Sequence, residues 1–186
     1  MRSERSETSE RLFLGVPLTP EARATLRTRL PDSLPGSPVP AENWHVTLRF
    51  LGSTPQERRD SLIAELRSAS LPRSFAVEFS GIGAFPAARR AKLLWVGVSR
   101  GGTELGALAR LADAVALRAG FEPQPRPFHP HLTIARTRHG LDATSVVREA
   151  FPAPVRMPVT ALALFRSRLG SGPPHYEVRE LFSLGK

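Results

Sequence analysis

A histidine, any residue, a threonine and an aliphatic residue occur in that order twice, as His45-Val46-Thr47-Leu48 and as His131-Leu132-Thr133-Ile134. Both stretches are short and apolar-rich, as strands are. Successive side chains of a strand point to opposite faces. His45 and Thr47 therefore share a face, as do His131 and Thr133, while Val46, Leu48, Leu132 and Ile134 anchor the other. A chain of this kind must build sheets with one apolar face and one face that carries imidazole and hydroxyl groups. A single copy fits an ordinary strand with a satisfied histidine as well as it fits a site. Two copies, each entered through a proline-rich loop, favour the site.

The rest of the chain is arranged around these copies. Residues 11–18 read as a buried strand. Thr19-Pro20-Glu21 opens a helix to about Leu30, with a cap, a proline in the first turn and an acid at the positive end of the dipole. Residues 31–43 carry four prolines and form a loop into Trp44 and the first motif strand, 44–51. Trp44 is expected to pack rather than to bind. Thr54 and Glu57 fit a capping box for the next helix, whose apolar side is Leu62, Ile63 and Leu66. Residues 74–80 and 93–98 read as a hairpin with a long tip, 81–92. A helix opens at Thr103 and stops at Gly120. A second proline-laden approach, 123–130, leads into the second motif strand, 131–136. A short helix at 142–150 and strands at 155–168 and 175–184 close the chain.

The recurrence is architectural, and too divergent for an internal sequence repeat. It predicts an α+β fold of two pseudo-symmetric lobes, each an antiparallel sheet with helices outside, facing each other across a central cleft. Each lobe contributes one motif. Residues 1–10 read as a disordered tail, and 11–186 as a single bilobal domain.

Two histidines and two threonines at one cleft suit phosphoester chemistry. Histidines titrate near neutral pH and can serve as general base and general acid. Threonine hydroxyls can donate to the non-bridging oxygens. Symmetry puts the imidazoles on opposite sides of phosphorus, as in-line displacement requires. Arg49 shares the strand parity of His45 and Thr47 and could reach a neighbouring phosphate. Arg136 falls on the opposite parity from His131 unless the strand bulges. Phe50 and Phe128 could stack on bases, although core packing suits both. The His129/His131 spacing could suggest a metal pair, but no acidic cluster supports one, so no metal and no cofactor are expected. His139 and His175 read as surface residues.

The copy at His45 runs on as Val-Thr-Leu-Arg-Phe-Leu-Gly52, and the copy at His131 is led in by Phe128-His-Pro and closes with Ala135-Arg136. In these residues the chain resembles the 2H phosphoesterases, and within them the RNA 2′,3′-cyclic phosphodiesterases, also called 2′-5′ RNA ligase-like proteins. The likeness spans Arg11 to Leu184. It implies hydrolysis of a terminal 2′,3′-cyclic phosphate to a 2′-phosphomonoester. It also implies His45 as proton donor, His131 as proton acceptor, and an arginine at position 136. The family's older name implies 2′-5′ ligation of RNA ends as a side activity. The same four residues would serve another cyclic nucleotide phosphate or a 2′-5′ oligoadenylate. A nucleotide- or RNA-binding module with little turnover is the reading from outside the enzymes.

Composition narrows the partners. The formal net charge is +9, and the only lysines are Lys92 and Lys186, so arginine supplies nearly all of the basic charge. That balance favours a phosphate-bearing partner such as RNA with a cyclic phosphate end or a related nucleotide. The 186 residues contain no cysteine, which excludes disulfides, a thiol nucleophile and thiolate zinc sites. No apolar run reaches membrane-spanning length, so no membrane partner is expected; a cytoplasmic location and a monomer are the default expectation.

Overall fold

The computed structural model describes residues 9–149, 151, 153–170, 172 and 174–185. Its strands form one curled sheet in two similar halves. The first half contains β1 (Glu10–Pro17), β3 (His45–Thr54), β8 (Ala161–Arg168) and β9 (His175–Ser183). The second contains β4 (Phe75–Phe85), β5 (Ala91–Arg100), β6 (His131–Leu141) and β7 (Val155–Val159). The order is β7-β4-β5-β6-β3-β1-β8-β9, and the short β2 (Ser37–Pro38) lies beside β6. Pairing is antiparallel throughout. The two motif strands, β3 and β6, are the seam, joined at one residue pair, Val46 with Leu132.

One face of the sheet is covered by α1 (Pro20–Arg29), α2 (Gln56–Ser68), α3 (Gly102–Arg118) and α4 (Thr144–Arg148). Strand alternation sends Leu12, Leu14, Val46, Leu48, Leu94, Val96, Leu132 and Ile134 into the core with Leu26, Leu62 and Leu105 of the helices. The helices tie the halves together, because α3 lies on β3 and α1 on β7. The other face is open. In the first half it carries a separate aromatic group of Phe13, Ala163, Phe165 and Tyr176.

Several local expectations hold. Thr19 caps α1, its Oγ1 accepting from the Ala22 N–H at 3.2 Å, and α3 ends just before Gly120. Others are corrected. Of the expected tail 1–10, residues 1–8 lie outside the described residues, but Glu10 begins β1. Its carboxylate is buried between Arg59 at 3.0 Å, Arg166 at 3.1 Å and Arg179 at 3.5 Å. Thr54 caps no helix: it pairs with Glu10 in the ladder, and Pro55 stands at the start of α2.

The tip at 81–92 is shorter than its composition suggests, since β4 continues to Phe85 and β5 starts at Ala91. Gly83 marks a close packing contact rather than a turn, because a Cβ there would lie 2.2 Å from the Trp95 ring. The stretch 155–168 is not one strand. It breaks at Thr160, where the chain passes from β4's neighbour to β1's.

Val46 and Leu132 are each fully buried. Val46→Ala and Leu132→Ala should each cost roughly 1–4 kcal/mol, read by thermal or urea unfolding, because each leaves a cavity beneath the seam.

Candidate active site

The antiparallel pairing of Val46 with Leu132 places His45 across from Thr133 and Thr47 across from His131. The two histidines therefore stand on one diagonal and the two threonines on the other. Diagonal neighbours in a regular pair are roughly 7–8 Å apart, which leaves room for a phosphoryl group between two imidazoles. All four side chains are half-buried at the floor of the open face.

Each imidazole is held in the same way. His45 Nδ1 lies 2.6 Å from the Asn43 carbonyl and His131 Nδ1 lies 2.7 Å from the His129 carbonyl. A carbonyl only accepts, so Nδ1 carries the proton in both rings and Nε2 is left for chemistry. His45 Nε2 accepts from the Thr47 hydroxyl at 2.9 Å.

Aromatic rings surround both histidines. Phe13, Phe165 and Tyr176 have centroids 4.6, 5.4 and 5.1 Å from the His45 ring. Phe85 stands edge-on to His131 at 5.4 Å, and Trp95 and His129 flank it at 6.4 and 6.0 Å. Burial among these rings disfavours the imidazolium and lowers the His45 pKa from 6.5 to about 4. The Arg136 and His131 charges lower it further, while the bond to Asn43 opposes the shift. His131 is lowered too, first by burial, with charge from His129 and Arg136 adding to it.

The remaining expected residues divide along one backbone feature. In each motif strand the aliphatic residue after threonine is an extra residue in the ladder. Thr47 pairs with Gly15 and Arg49 with Leu14, so Leu48 is bulged; Thr133 pairs with Trp95 and Ala135 with Leu94, so Ile134 is bulged. A bulge reverses the alternation beyond it. Arg49 is therefore not on the face of His45 and Thr47. It is 3% exposed, pairs with Asp113 of α3 at 2.9 Å and donates to the Glu122 carbonyl. Its role is to tie β3 to α3 and the loop behind it. The same reversal returns Arg136 to the open face, where its charge acts on both histidines. It also brings Phe50 out beside Phe13, 61% exposed with centroids 6.2 Å apart. Phe128 packs against the core, and so does Trp44, whose Nε1 donates to the Val39 carbonyl at 3.0 Å. His139 and His175 are exposed.

The first motif's neighbour Asn43 is a residue the sequence reading passed over. Its carbonyl orients His45, its Nδ2 donates to the Pro174 carbonyl at 2.6 Å, and its Oδ1 accepts from the Tyr176 N–H at 3.2 Å. It thus ties the histidine to the turn that supplies Tyr176. The ring neighbours Phe13 and Trp95 had a usable signal, since each alternates with core aliphatics in its strand. Tyr176 and Phe85 had none, because their strands reach the site only through the sheet order.

A family model for the 2′-5′ RNA ligase superfamily matches residues 16–171. The chain belongs to this superfamily. Within it, a Thermus thermophilus protein named RNA 2′,3′-cyclic phosphodiesterase is 34% identical over 94% of this chain and 90% of its own length. The Escherichia coli protein of the same name is 30% identical over 90% and 92%. The superfamily likeness extends to structure. The crystal structure of E. coli LigT complexed with 3′-AMP aligns with a TM-score of 0.80 at 26% identity, over 96% of this chain and 99% of that one. Among the described residues no helix is long and apolar enough to cross a membrane.

The depressed His45 pKa carries a stability consequence. The unfolded chain binds this proton with a pKa near 6.5 and the folded one near 4. The stabilisation is full above pH 6.5 and is lost as pH falls through 4, a loss of roughly 3 kcal/mol. NMR titration should find His45 still neutral at pH 5.5, and urea unfolding should weaken between pH 7 and pH 4.

Proposed function

We propose that this chain is an RNA 2′,3′-cyclic phosphodiesterase that opens the cyclic ester to a 2′-phosphomonoester by two-histidine acid/base catalysis. The observation that carries the reading is the diagonal of two imidazoles, each with Nδ1 spent on a carbonyl and Nε2 left for chemistry. The names of its superfamily relatives and the 3′-AMP bound to E. coli LigT support the substrate class.

The phosphorus sits between the rings, over the seam. His131 Nε2 takes a proton from the attacking water as its oxygen bonds to phosphorus. In line with it, His45 Nε2–H gives a proton to the departing ribose 3′-oxygen. Family resemblance assigns these two roles. The Thr47 and Thr133 hydroxyls donate to the non-bridging oxygens. Thr47 is poised for a handover: its hydroxyl donates to neutral His45, and protonation of Nε2 frees that hydroxyl for phosphate. The proton that His45 needs is drawn in by the anionic substrate, which offsets burial and the Arg136 charge. Arg136 in turn is placed to meet the phosphate oxygens. In this reading proton transfer and charge stabilisation are supplied by side chains alone.

Turnover on a short RNA ending in a 2′,3′-cyclic phosphate tests the reading. His45→Ala and His131→Ala should each abolish it, with strongly non-additive effects, since both break one relay. Thr47→Ala and Thr133→Ala should lower it roughly ten- to a thousandfold, and serine at either position should restore much of the loss. Val46→Ala and Leu132→Ala should leave turnover per folded molecule nearly unchanged. Near-normal turnover in either histidine mutant would sink the mechanism, and loss of activity in excess EDTA would sink its metal independence.

The pH profile is a separate check. Both histidine pKa values are lowered in the free protein, so the state with one ring protonated is scarce at neutral pH. The kcat/KM optimum should lie below 6.5, and Arg136→Gln should move it upward by removing a positive charge.

A further inference from the structure

A second basic site lies next to the cleft, and the catalytic reading does not use it. Phe85, whose ring faces His131, is the last residue of β4. The hairpin tip that follows turns back at Ala88–Arg90. There it forms, with α4, a cavity of about 460 Å³ lined by Ala88, Arg89, Arg90, Thr144, Val147 and Arg148 among others. The tip is fixed: the Ala143 N–H donates to the Ala88 carbonyl at 2.8 Å, and Gly140 of β6 packs against the Arg90 backbone. From Phe85 to Ala88 the chain can span at most about 10 Å, so the near wall of the cavity is within reach of a nucleotide or two from the cleft.

Charge sets this cavity apart. Arg89, Arg90 and Arg148 are all exposed, and none of the lining residues is acidic. Some arginines elsewhere are engaged by carboxylates, Arg59, Arg67, Arg118 and Arg168 among them. Among the described residues no carboxylate forms an ion pair with any of the three cavity arginines. Asp142 stands at the edge: its carboxylate accepts from the Thr144 N–H at 2.9 Å, and its pKa is lowered first by hydrogen bonding to Thr144 and then by the charges of Arg89 and Arg148. Three exposed guanidinium groups around one cavity, none in direct contact with a carboxylate among the described residues, are suited to successive phosphodiesters.

We propose that this cavity holds the backbone of the RNA strand that lies 5′ of the cyclic phosphate. A 2′,3′-cyclic phosphate terminates the 3′ end, so the remainder of the strand must leave the cleft on one side. Phe85, beside His131, is followed along the chain by the tip that carries Arg89 and Arg90. Arg136 takes the terminal phosphate, and Arg89, Arg90 and Arg148 take those upstream. The inference rests on the cyclic phosphodiesterase reading for the 3′ end alone.

The test uses the full chain and its Arg89→Gln/Arg90→Gln/Arg148→Gln variant. Binding of a fluorescein-labelled ten-nucleotide single-stranded RNA with a 3′-phosphate is measured by anisotropy across a salt series. Turnover of 2′,3′-cyclic AMP, which has no upstream strand, is measured alongside. The variant is expected to bind RNA at least tenfold more weakly. Its log Kd against log salt should be flatter by up to about 2, at about 0.7 for each lost phosphate contact. Its turnover of 2′,3′-cyclic AMP should be unchanged, which also reports an intact fold. Equal RNA affinity and equal salt slope in the two proteins would overturn the proposal. So would equal affinity of the unaltered chain for heparin and RNA, which would make the cavity a general anion trap. If neither protein turned over any cyclic phosphate while the arginines still governed RNA binding, the catalytic reading would fall and the RNA track would stand.

Discussion

The pairing of Val46 with Leu132 is the contact on which the rest of the structure depends. It joins two four-stranded antiparallel halves into one sheet and sets the motif strands side by side in opposite directions. The pairing buries both aliphatic residues completely, and the hydrophobic effect that holds them also fixes the register. A slip of one residue would turn the histidines and threonines into the core and the aliphatic residues into the cleft. Site geometry and core packing are thus one constraint: the alternation that buries Val46 and Leu132 turns His45, Thr47, His131 and Thr133 to the open face.

The bulges at Leu48 and Ile134 give that constraint a second use. Each spends one extra residue and reverses the strand's faces beyond the motif. In one half the reversal exposes Phe50 and buries Arg49; in the other it exposes Arg136 and buries Ala135. Equivalent positions of the two halves therefore present an aromatic ring on one side and a guanidinium on the other. The same fold that sets the two histidines symmetrically makes their surroundings asymmetric. A ring suits a base or ribose and a cation suits a phosphate, so the asymmetry gives the cleft a direction.

Proton affinity is set by the aromatic walls. Phe13, Phe165 and Tyr176 around His45, and Phe85 and Trp95 around His131, withhold water from the imidazolium. Asn43 and His129 oppose this by accepting from Nδ1, which fixes the tautomer without supplying a full negative charge. A carboxylate in either place would raise the pKa and hold a permanent proton. With neutral carbonyls, the charge state of both rings is left to respond to an anion arriving in the cleft.

The sequence by itself determined the quartet of two histidines and two threonines, its shared face, the two-half α+β plan and most strands and helices. Those follow from periods of two and of 3.6 residues and from local capping, which act over a few neighbours in the chain. Sequence parity failed at Arg49 and left Arg136 conditional, because a bulge is decided by the partner strand, not by the bulged one. It could not divide 155–168 at Thr160, since both pieces are equally apolar and only their different neighbours in the sheet separate them. It assigned Glu10 to a tail, because the three arginines that hold it, Arg59, Arg166 and Arg179, lie far along the chain. The tertiary structure alone decided the aromatic enclosure of the histidines, the Asn43 clamp and the arginine-lined cavity at the hairpin tip. Each depends on elements distant in sequence being brought together, and the range of a local pattern ends within about one turn or one strand pair.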